Sequence, residues 1–413
     1  MIKIAHMAFA IGFSLVIGVV MLVGIASSAH LPLPSWLKNP SAASQLEGRT
    51  YEPRPSLTLA SLADGSFQDA FEQYVSDRIP LRDQALMANA ALQRQIINLA
   101  AAPFGYSVYP TYYGSETVYD EDADMTAPLP ERKRAIQEES YEAAANALCA
   151  FAERHPDLNM VFCEVDRLEY SGANPSAGLV SNAIDRPYVR DNFLSKLPEN
   201  MQVVDLEVSD KDVFVSDYFR SDHHWNINGA YKGYLKILDT LLPDATPVTI
   251  YGTSTWDNVP FFGSNSRVGL CEVVEHDTIS DLEYDESNLA IYVDGSEEPM
   301  EVLRHRGAYD KGEVGSDRYQ NRYAEYFHGD FGLIEIRNQD KPEGEDIILV
   351  GDSFSNSMER FVAEHYRTTY VIDPRRYPGT LSQFADEHEA KNVLFVLGGT
   401  TYVNPTVISF IGG

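Results

Sequence analysis

Apolar and polar positions divide the chain into segments of different kinds. The first is an unbroken apolar run, MAFAIGFSLVIGVVMLVGIA from Met7 to Ala26, with no charge in it. About 20 such residues span a bilayer as a helix, and Lys3 ahead of the run favours an inside N-terminus. A cleavable signal carries a shorter apolar core of about 7–15 residues. Length therefore favours an uncleaved signal anchor, a transmembrane helix within residues 1–29. The tail Ala26-Ser27-Ser28-Ala29 leaves a cleaved, secreted form as the alternative. Either form puts the remainder outside the cytoplasm. No second run of that length follows, so the expectation is a single-pass cell-membrane protein with a large ectodomain.

Residues 30–57 hold Pro32, Pro34, Pro40, Pro53 and Pro55 among scattered serines and read as a linker. Helical spacing follows from Ser66 to about Ala101, in Phe67, Phe71, Tyr74, Leu86, Leu92, Ile96 and Ile97, with Pro80 separating two helices. The Tyr- and Gly-rich stretch from Tyr106 to Tyr119 predicts a hairpin. Residues 131–154 predict a long helix ending before Pro156, and Asn159 to Glu164 a short strand. Alternation is clearest near the C-terminus, where strands at 346–350, 369–372 and 392–397 are separated by helices at 355–366 and 381–390. Such alternation demands right-handed crossovers and a parallel sheet. Sheets of this class bind ligands beyond the carboxyl ends of their strands, and Ser353 falls at one of those ends. Residues 251–320 are acidic and irregular, with a hairpin expected over 289–302. They read as an insertion in an α/β domain of residues 58–413.

Composition narrows function more than fold. With 413 residues, 44% apolar and 23% charged, the chain has an ordinary globular make-up. A net charge of −29 argues against a nucleic-acid partner, which would require basic residues to displace counterions from phosphate. It argues equally against docking on anionic lipid through a basic patch. Cys149, Cys163 and Cys271 are too few and too scattered for a disulfide scaffold or a cysteine zinc site. They read as buried thiols, with Cys149 and Cys163 on neighbouring elements where a bridge is an open alternative.

Two short motifs carry the candidate chemistry. In Gly351-Asp352-Ser353-Phe354-Ser355 a strand-to-helix turn presents a serine hydroxyl. The first amides of the following helix lack intrahelical partners and can hold an oxyanion. Taken alone, the tripeptide is better accounted for by a helix-capping serine. The second motif is Ser221-Asp222-His223-His224-Trp225-Asn226. In an extended segment residues two apart share a face, so Asp222 pairs with His224 while His223 points elsewhere. That makes His224 the base and Asp222 the carboxylate that fixes its tautomer. Ordinary hydrogen bonding in a loop is the plainer account of two adjacent histidines. Asp and His are also metal ligands, but His276, His305, His328 and His365 show no ligand-like spacing. Neither a metal nor another cofactor is expected. Nucleophile, base and orienter occur in the order Asp, His, Ser, and triads are defined by geometry rather than order.

The tetrapeptide Asp222-His223-His224-Trp225, with Asn226 and Gly229-Ala230, resembles the signature of the DHHW family. It is also similar to the Asp-x-His-Trp motif of the alginate O-acetylation proteins AlgX and AlgJ. Further pieces of the chain are similar to family elements. These are Gly65-Ser66-Phe67 through Asp77-Arg78-Ile79-Pro80-Leu81-Arg82-Asp83, Phe262-Gly263-Ser264 with Arg267, Ile347 to Phe354, and Ile372-Asp373-Pro374-Arg375-Arg376-Tyr377. The resemblance covers most of residues 60–403. Two departures stand out. The family's Gly-Trp-Leu element is replaced by Tyr-rich sequence near Tyr106–Tyr119, and the Gly and Asn oxyanion blocks of SGNH enzymes are not evident.

The resemblance implies an SGNH-hydrolase-like fold, a flavodoxin-like three-layer parallel sheet whose Asp/His block precedes the Ser block as in a circular permutation. It implies O-acetyl transfer or acetyl-ester hydrolysis on a surface polysaccharide, with Ser353 as nucleophile, His224 as base and Asp222 as orienter. The Ser353 amide is the default oxyanion donor, and Arg267 and the Gly398-Gly399-Thr400 turn are candidates beside it. A membrane-bound O-acyltransferase is the implied partner. A carboxylesterase or lipase acting on small esters, and a non-catalytic polysaccharide-assembly protein, are the alternatives.

Overall fold

A strand whose residues are apolar on both faces is stable only if helices cover both. The computed structural model of this chain has that arrangement. Before residue 46 it describes 18, 19, 22, 23, 26, 32, 34, 43 and 44; from 46 onward it describes all residues except 80, 106, 111–115, 131–134, 175–185, 271, 272, 274, 301–305, 316, 328 and 389. The expected membrane anchor lies outside the described residues, apart from Gly18, Val19, Leu22, Val23 and Ala26. No described helix is long and apolar enough to cross a membrane. The chain divides into two units, Met1–Ala100 and Ala101–Gly413.

In the first unit β1 (Ala43–Ser44) and β2 (Arg49–Thr50) form a short antiparallel pair, followed by α1 (Leu59–Ala63), α2 (Ser66–Ser76) and α3 (Arg82–Ala101). The expected linker is therefore not a free spacer near residue 50. Arg49 meets Asp77 at 2.5 Å and Arg82 meets Glu47 at 2.8 Å, which ties the hairpin to the helices. A capping box between Thr58 and Ser61 starts α1.

The second unit opens with β3 (Ser107–Pro110), β4 (Glu116–Asp120) and β5 (Met125–Pro128), the expected hairpin extended by one strand. Then come α4 (Ala135–Arg154), β6 (Asn159–Val165), α5 (Arg186–Leu194), β7 (Met201–Leu206), α6 (Lys211–Asp217) and α7 (Ile227–Leu241). A ribbon of β8 (Gly252–Phe261) and β9 (Asp277–Glu283) brackets α8 (Ser264–Gly269). After it follow β10 (Leu289–Val293), α9 (Arg306–Lys311), α10 (Arg322–Tyr326) and β11 (Leu333–Asn338). The alternating segment supplies β12 (Asp346–Gly351), α11 (Glu359–Ala363), β13 (Thr368–Ile372), α12 (Leu381–His388), β14 (Asn392–Gly398) and α13 (Pro405–Gly412).

Strands β13, β12, β14, β6 and β7 are parallel neighbours in that order. β11 pairs antiparallel with β13, and β10 antiparallel with β11. The wholly parallel sheet expected from the alternation thus gains two antiparallel edge strands. The stretch expected to be irregular contains strands β8, β9 and β10 among loops and short helices, and its hairpin gives one strand to the sheet edge and one bridge, Ile291 to Met300. The helix expected over 355–366 is broken: a 3-10 turn at Ser355–Ser357 precedes α11. The Ser355 hydroxyl donates to the Asp352 carbonyl at 2.9 Å, and such local bonds compete with helix formation.

Successive residues of the central strands serve opposite cores. Val161, Cys163, Ile347, Leu349, Leu394 and Val396 join Ala230, Tyr234, Ile237 and Leu241 of α7. Met160, Phe162, Ile348, Val350, Val393 and Phe395 join Leu148 and Phe151 of α4 and Val407 and Phe410 of α13. Cys149 and Cys163 are free thiols, so no bridge joins them; Cys271 lies outside the described residues.

One ionic network ties the β8–β9 ribbon to the helix that follows Ser353. Arg360 on α11, 1% exposed, donates to Asp281 of β9 at 3.2 Å and pairs with Glu286. Tyr326 donates to the same Asp281 carboxylate at 2.7 Å. Asp281 is itself 0% exposed, so removing its cation strands a buried charge. Arg360→Leu is expected to cost roughly 3–5 kcal/mol of stability by urea unfolding. A loss below about 1 kcal/mol, the scale of an exposed pair, contradicts this role.

Candidate active site

The first half of the site is the turn after β12. Gly351 is fixed by close approach, because a Cβ there would sit 2.2 Å from the Ser355 hydroxyl. Asp352 turns its carboxylate inward, accepting from the Phe354 amide at 3.0 Å and from the Gly398 amide of β14 at 2.8 Å. The turn is thereby clamped to the neighbouring strand, and Ser353 is left half-buried at the carboxyl end of the sheet.

The second half is the loop between α6 and α7. Tyr218 and Trp225 pair as an antiparallel bridge, and the Phe219 amide donates to the His224 carbonyl at 3.1 Å. Residues 219–224 therefore form a closed bend rather than the extended segment that the alternation assumed. Asp222 Oδ1 accepts from the His224 amide at 3.0 Å and lies 2.6 Å from His224 Nδ1. A carboxylate bonding the amide two residues on is an Asx turn, and this turn brings the two side chains together. His224 Nε2 lies 2.7 Å from Ser353 Oγ. His223 Nδ1 lies 2.6 Å from Ser264 Oγ and 3.5 Å from Asp222 Oδ1, with its ring centroid 3.9 Å from that of His224. Trp225 Nε1 donates to the Phe354 carbonyl and the Ser357 hydroxyl, both at 2.9 Å, which couples the loop to the nucleophile turn.

The ribbon supports the loop from behind. Asp222 Oδ2 accepts from the Ser264 amide at 2.6 Å. Gly263 is fixed by that approach, since a Cβ would lie 2.3 Å from Asp222 Cβ. Asp277 of β9 accepts from the Arg220 and Ser221 amides at 2.9 and 2.8 Å and from the Ser221 hydroxyl. Burial pushes Asp277 up to about 6 against the opposing pull of those bonds.

Charge is arranged in favour of an ionised Asp222. Burial alone would raise its carboxyl, but the His223 and His224 rings and the Ser264 amide outweigh it and hold it well below the usual carboxylate range. Burial and the neighbouring His224 charge keep His223 well below the ordinary imidazole value, which makes it a poor proton carrier. Asp222, His223 and His224 offer donor atoms within 4.8 Å of one another. Asp222 Oδ1 and His224 Nδ1 already bond each other and His223 Nδ1 bonds Ser264 Oγ, so a cation held by those atoms would have to break these contacts. The arrangement can take a proton from the Ser353 hydroxyl onto His224 and hold the resulting imidazolium against Asp222.

The remaining candidates fare differently. The Gly398 amide is spent on Asp352, and the Gly399 amide donates to the Val165 carbonyl at 3.1 Å. Neither is available to an oxyanion, because the strand-end clamp uses both. Thr400 lies in the following turn, where its carbonyl accepts from the Val403 amide. Arg267, on α8, acts on His223 with its charge. The Ser353 amide has no acceptor among the described residues. Sequence reasoning missed Arg167 and Tyr323. Arg167 follows β6, pairs with Glu169 at 2.5 Å and bears electrostatically on Asp352 and Asp222; its place at a strand's carboxyl end was the available signal. Tyr323 stacks on His224 from α10, and nothing in its sequence surroundings marked it.

Two of the solved structures that align with the chain share its fold, and a third aligns more loosely. The Bacillus cereus PatB1 structure with a sulfonyl adduct aligns at TM-score 0.56 and 16% identity, covering 72% of this chain and 98% of that one. A DHHW family protein from Eubacterium siraeum aligns at TM-score 0.51 and 17% identity, covering 72% and 94%. The O-acetyltransferase domain of Pseudomonas putida AlgJ aligns at TM-score 0.41 and 9% identity, covering 74% and 99%. No curated protein sequence matches the chain. Residues 192–372, which span the Asp222–Trp225 loop, the β8–β9 ribbon and the Ser353 turn, match the sequence profile of the DHHW protein family.

Proposed function

We propose that this chain is an extracytoplasmic serine enzyme that transfers or hydrolyses O-acetyl groups on a cell-surface polysaccharide. In this reading its sheet is a circularly permuted SGNH-hydrolase-like core, held at the membrane by the apolar N-terminal run. What carries the reading is a single chain of contacts: Ser353 Oγ to His224 Nε2 at 2.7 Å and His224 Nδ1 to Asp222 at 2.6 Å.

The chemistry is acyl transfer in two steps. His224 takes the Ser353 proton as Oγ attacks the acetyl carbonyl, and Asp222 stabilises the imidazolium. The Ser353 amide donates to the oxyanion. As the tetrahedral intermediate collapses, His224 returns the proton to the departing alcohol and acetyl-Ser353 remains. A sugar hydroxyl, or water, then loses its proton to His224 as it attacks the acetyl carbonyl, the acyl–Oγ bond breaks, and His224 passes the proton back to Ser353 Oγ. A cytoplasmic acetyl donor requires a transmembrane protein to pass acetyl outward, and a membrane-bound O-acyltransferase is proposed as that partner. Hydrogen-bonded contact between Ser353 and His224 favours an enzyme over a non-catalytic assembly protein.

Ser353→Ala and His224→Ala are each expected to lower hydrolysis of a chromogenic acetyl ester on the order of 10⁴-fold, with the melting temperature of Ser353→Ala unchanged. His223→Ala is expected to keep most of the activity. Wild-type rates in Ser353→Ala, or a dead His223→Ala beside an active His224→Ala, overturn the assignment.

Asp222 gives a pH test. Its folded carboxyl is held below the unfolded value of about 4, so its contribution to stability is present above that pH and is lost as pH falls from there through the lower folded value. Wild type is expected to be more stable than Asp222→Asn at neutral pH in urea titrations, with the gap closing from about pH 4 downward. A gap of the same size at both ends contradicts an ionised Asp222.

A further inference from the structure

Resting on the reading of Ser353 and His224 above, we propose that Tyr323 is a positioning residue with two tasks. Its ring face stabilises the imidazolium formed when His224 takes the serine proton, and its hydroxyl holds the nucleophile turn in register with that ring.

The stacking geometry carries the first task. The Tyr323 and His224 rings lie face to face, centroids 3.9 Å apart and planes inclined by 6°. A cation over an aromatic face is drawn to the negative π cloud, and the attraction grows when water is excluded. Here Tyr323 is 1% exposed and His224 5%. The neutral imidazole gains little from this contact and the imidazolium gains more, so the difference falls on the proton-transfer step rather than on substrate binding. The edge of Phe219 at 6.1 Å and the ring of Phe327 at 5.2 Å keep the platform from tilting away.

The hydroxyl carries the second task. It donates to the Ser353 carbonyl at 2.8 Å and lies 3.3 Å from Ser357 Oγ, the atom that also receives Trp225 Nε1. One rigid side chain therefore touches the base with its face and the nucleophile's backbone with its tip. Burial pushes the phenol well above its ordinary value, so it serves as a neutral donor throughout. No proton passes through it: the proton leaves Ser353 Oγ and arrives on His224 Nε2. The titratable and charged groups around His224 are Asp222 and His223 on its own loop and Asp352 at the end of β12. Among the described residues, Arg167 beyond β6, Arg267 on α8 and Tyr323 on α10 also bear on this group of charges.

The test replaces Tyr323 in the full chain by phenylalanine and by mono-, di- and trifluorinated phenylalanine, which keep the ring's shape while draining its face of negative charge. The readout is the rate of Ser353 modification by an aryl sulfonyl fluoride across pH, with the adduct located by mass spectrometry. The rate is expected to fall stepwise with fluorination, about 10-fold across the series. The acid limb of the profile should move to lower pH in the same order. Tyr323→Leu, which removes the face, should fall at least as far. A flat fluorination series beside a labelled wild type overturns the platform and leaves the serine-enzyme reading standing, even if Tyr323→Leu fails to fold. A wild type that takes no label at Ser353 overturns the serine-enzyme reading itself, and the platform with it.

Discussion

A buried, ionised carboxylate at Asp222 is the constraint around which the rest is arranged. A bare charge at that depth is costly, and the cost is met by converging donors: the His224 amide, the His224 ring and the Ser264 amide. Those donors come from two places in the chain, the loop itself and the start of α8. Satisfying Asp222 therefore dictates where the ribbon must pass, why position 263 has no side chain, and which way each histidine turns. His224 is aimed at Ser353 as a by-product of the same arrangement, while His223 is drawn aside to Ser264.

This explains why a segment that looks like an insertion does more than decorate the sheet. The β8–β9 ribbon supplies the amide behind Asp222 and the carboxylate of Asp277 that gathers the amides of Arg220 and Ser221. The chain beyond it supplies Tyr323. Arg360 then fastens the ribbon to the helix after the nucleophile through Asp281. Serine comes from the sheet and imidazole from the loop, and the ribbon is the shared wall against which both are set.

Local patterns were legible where local physics decides. The apolar runs of β12, β13 and β14 and the helices between them follow from alternation alone, because a strand buried on both faces has no polar positions to spare. The hairpin expected over 289–302 contains β10, but its antiparallel pairing with β11 was not legible: β11 carries mixed polarity, and pairing at a sheet edge is set by distant strands. At the site, spacing named Asp222 and His224 as the residues whose side chains meet, but for the wrong local reason, since an Asx turn and not an extended strand joins them. Gly398 and Gly399 stood as oxyanion candidates beside the Ser353 amide. Nothing local reveals that Asp352 and Val165 already claim them. Tyr323 was invisible because a tyrosine 30 residues ahead of a serine carries no pattern at all.

The division of labour between sheet and ribbon has a consequence for how the molecule fails. The serine rides on the central strands of the large sheet, whereas the imidazole sits on a loop whose backing is a separate two-stranded ribbon. Any local opening of that ribbon is expected to part the two groups while the central strands stay paired. Activity then depends on how the ribbon and the sheet are held together, and a thermal scan that follows only the backbone signal of the sheet does not report on it.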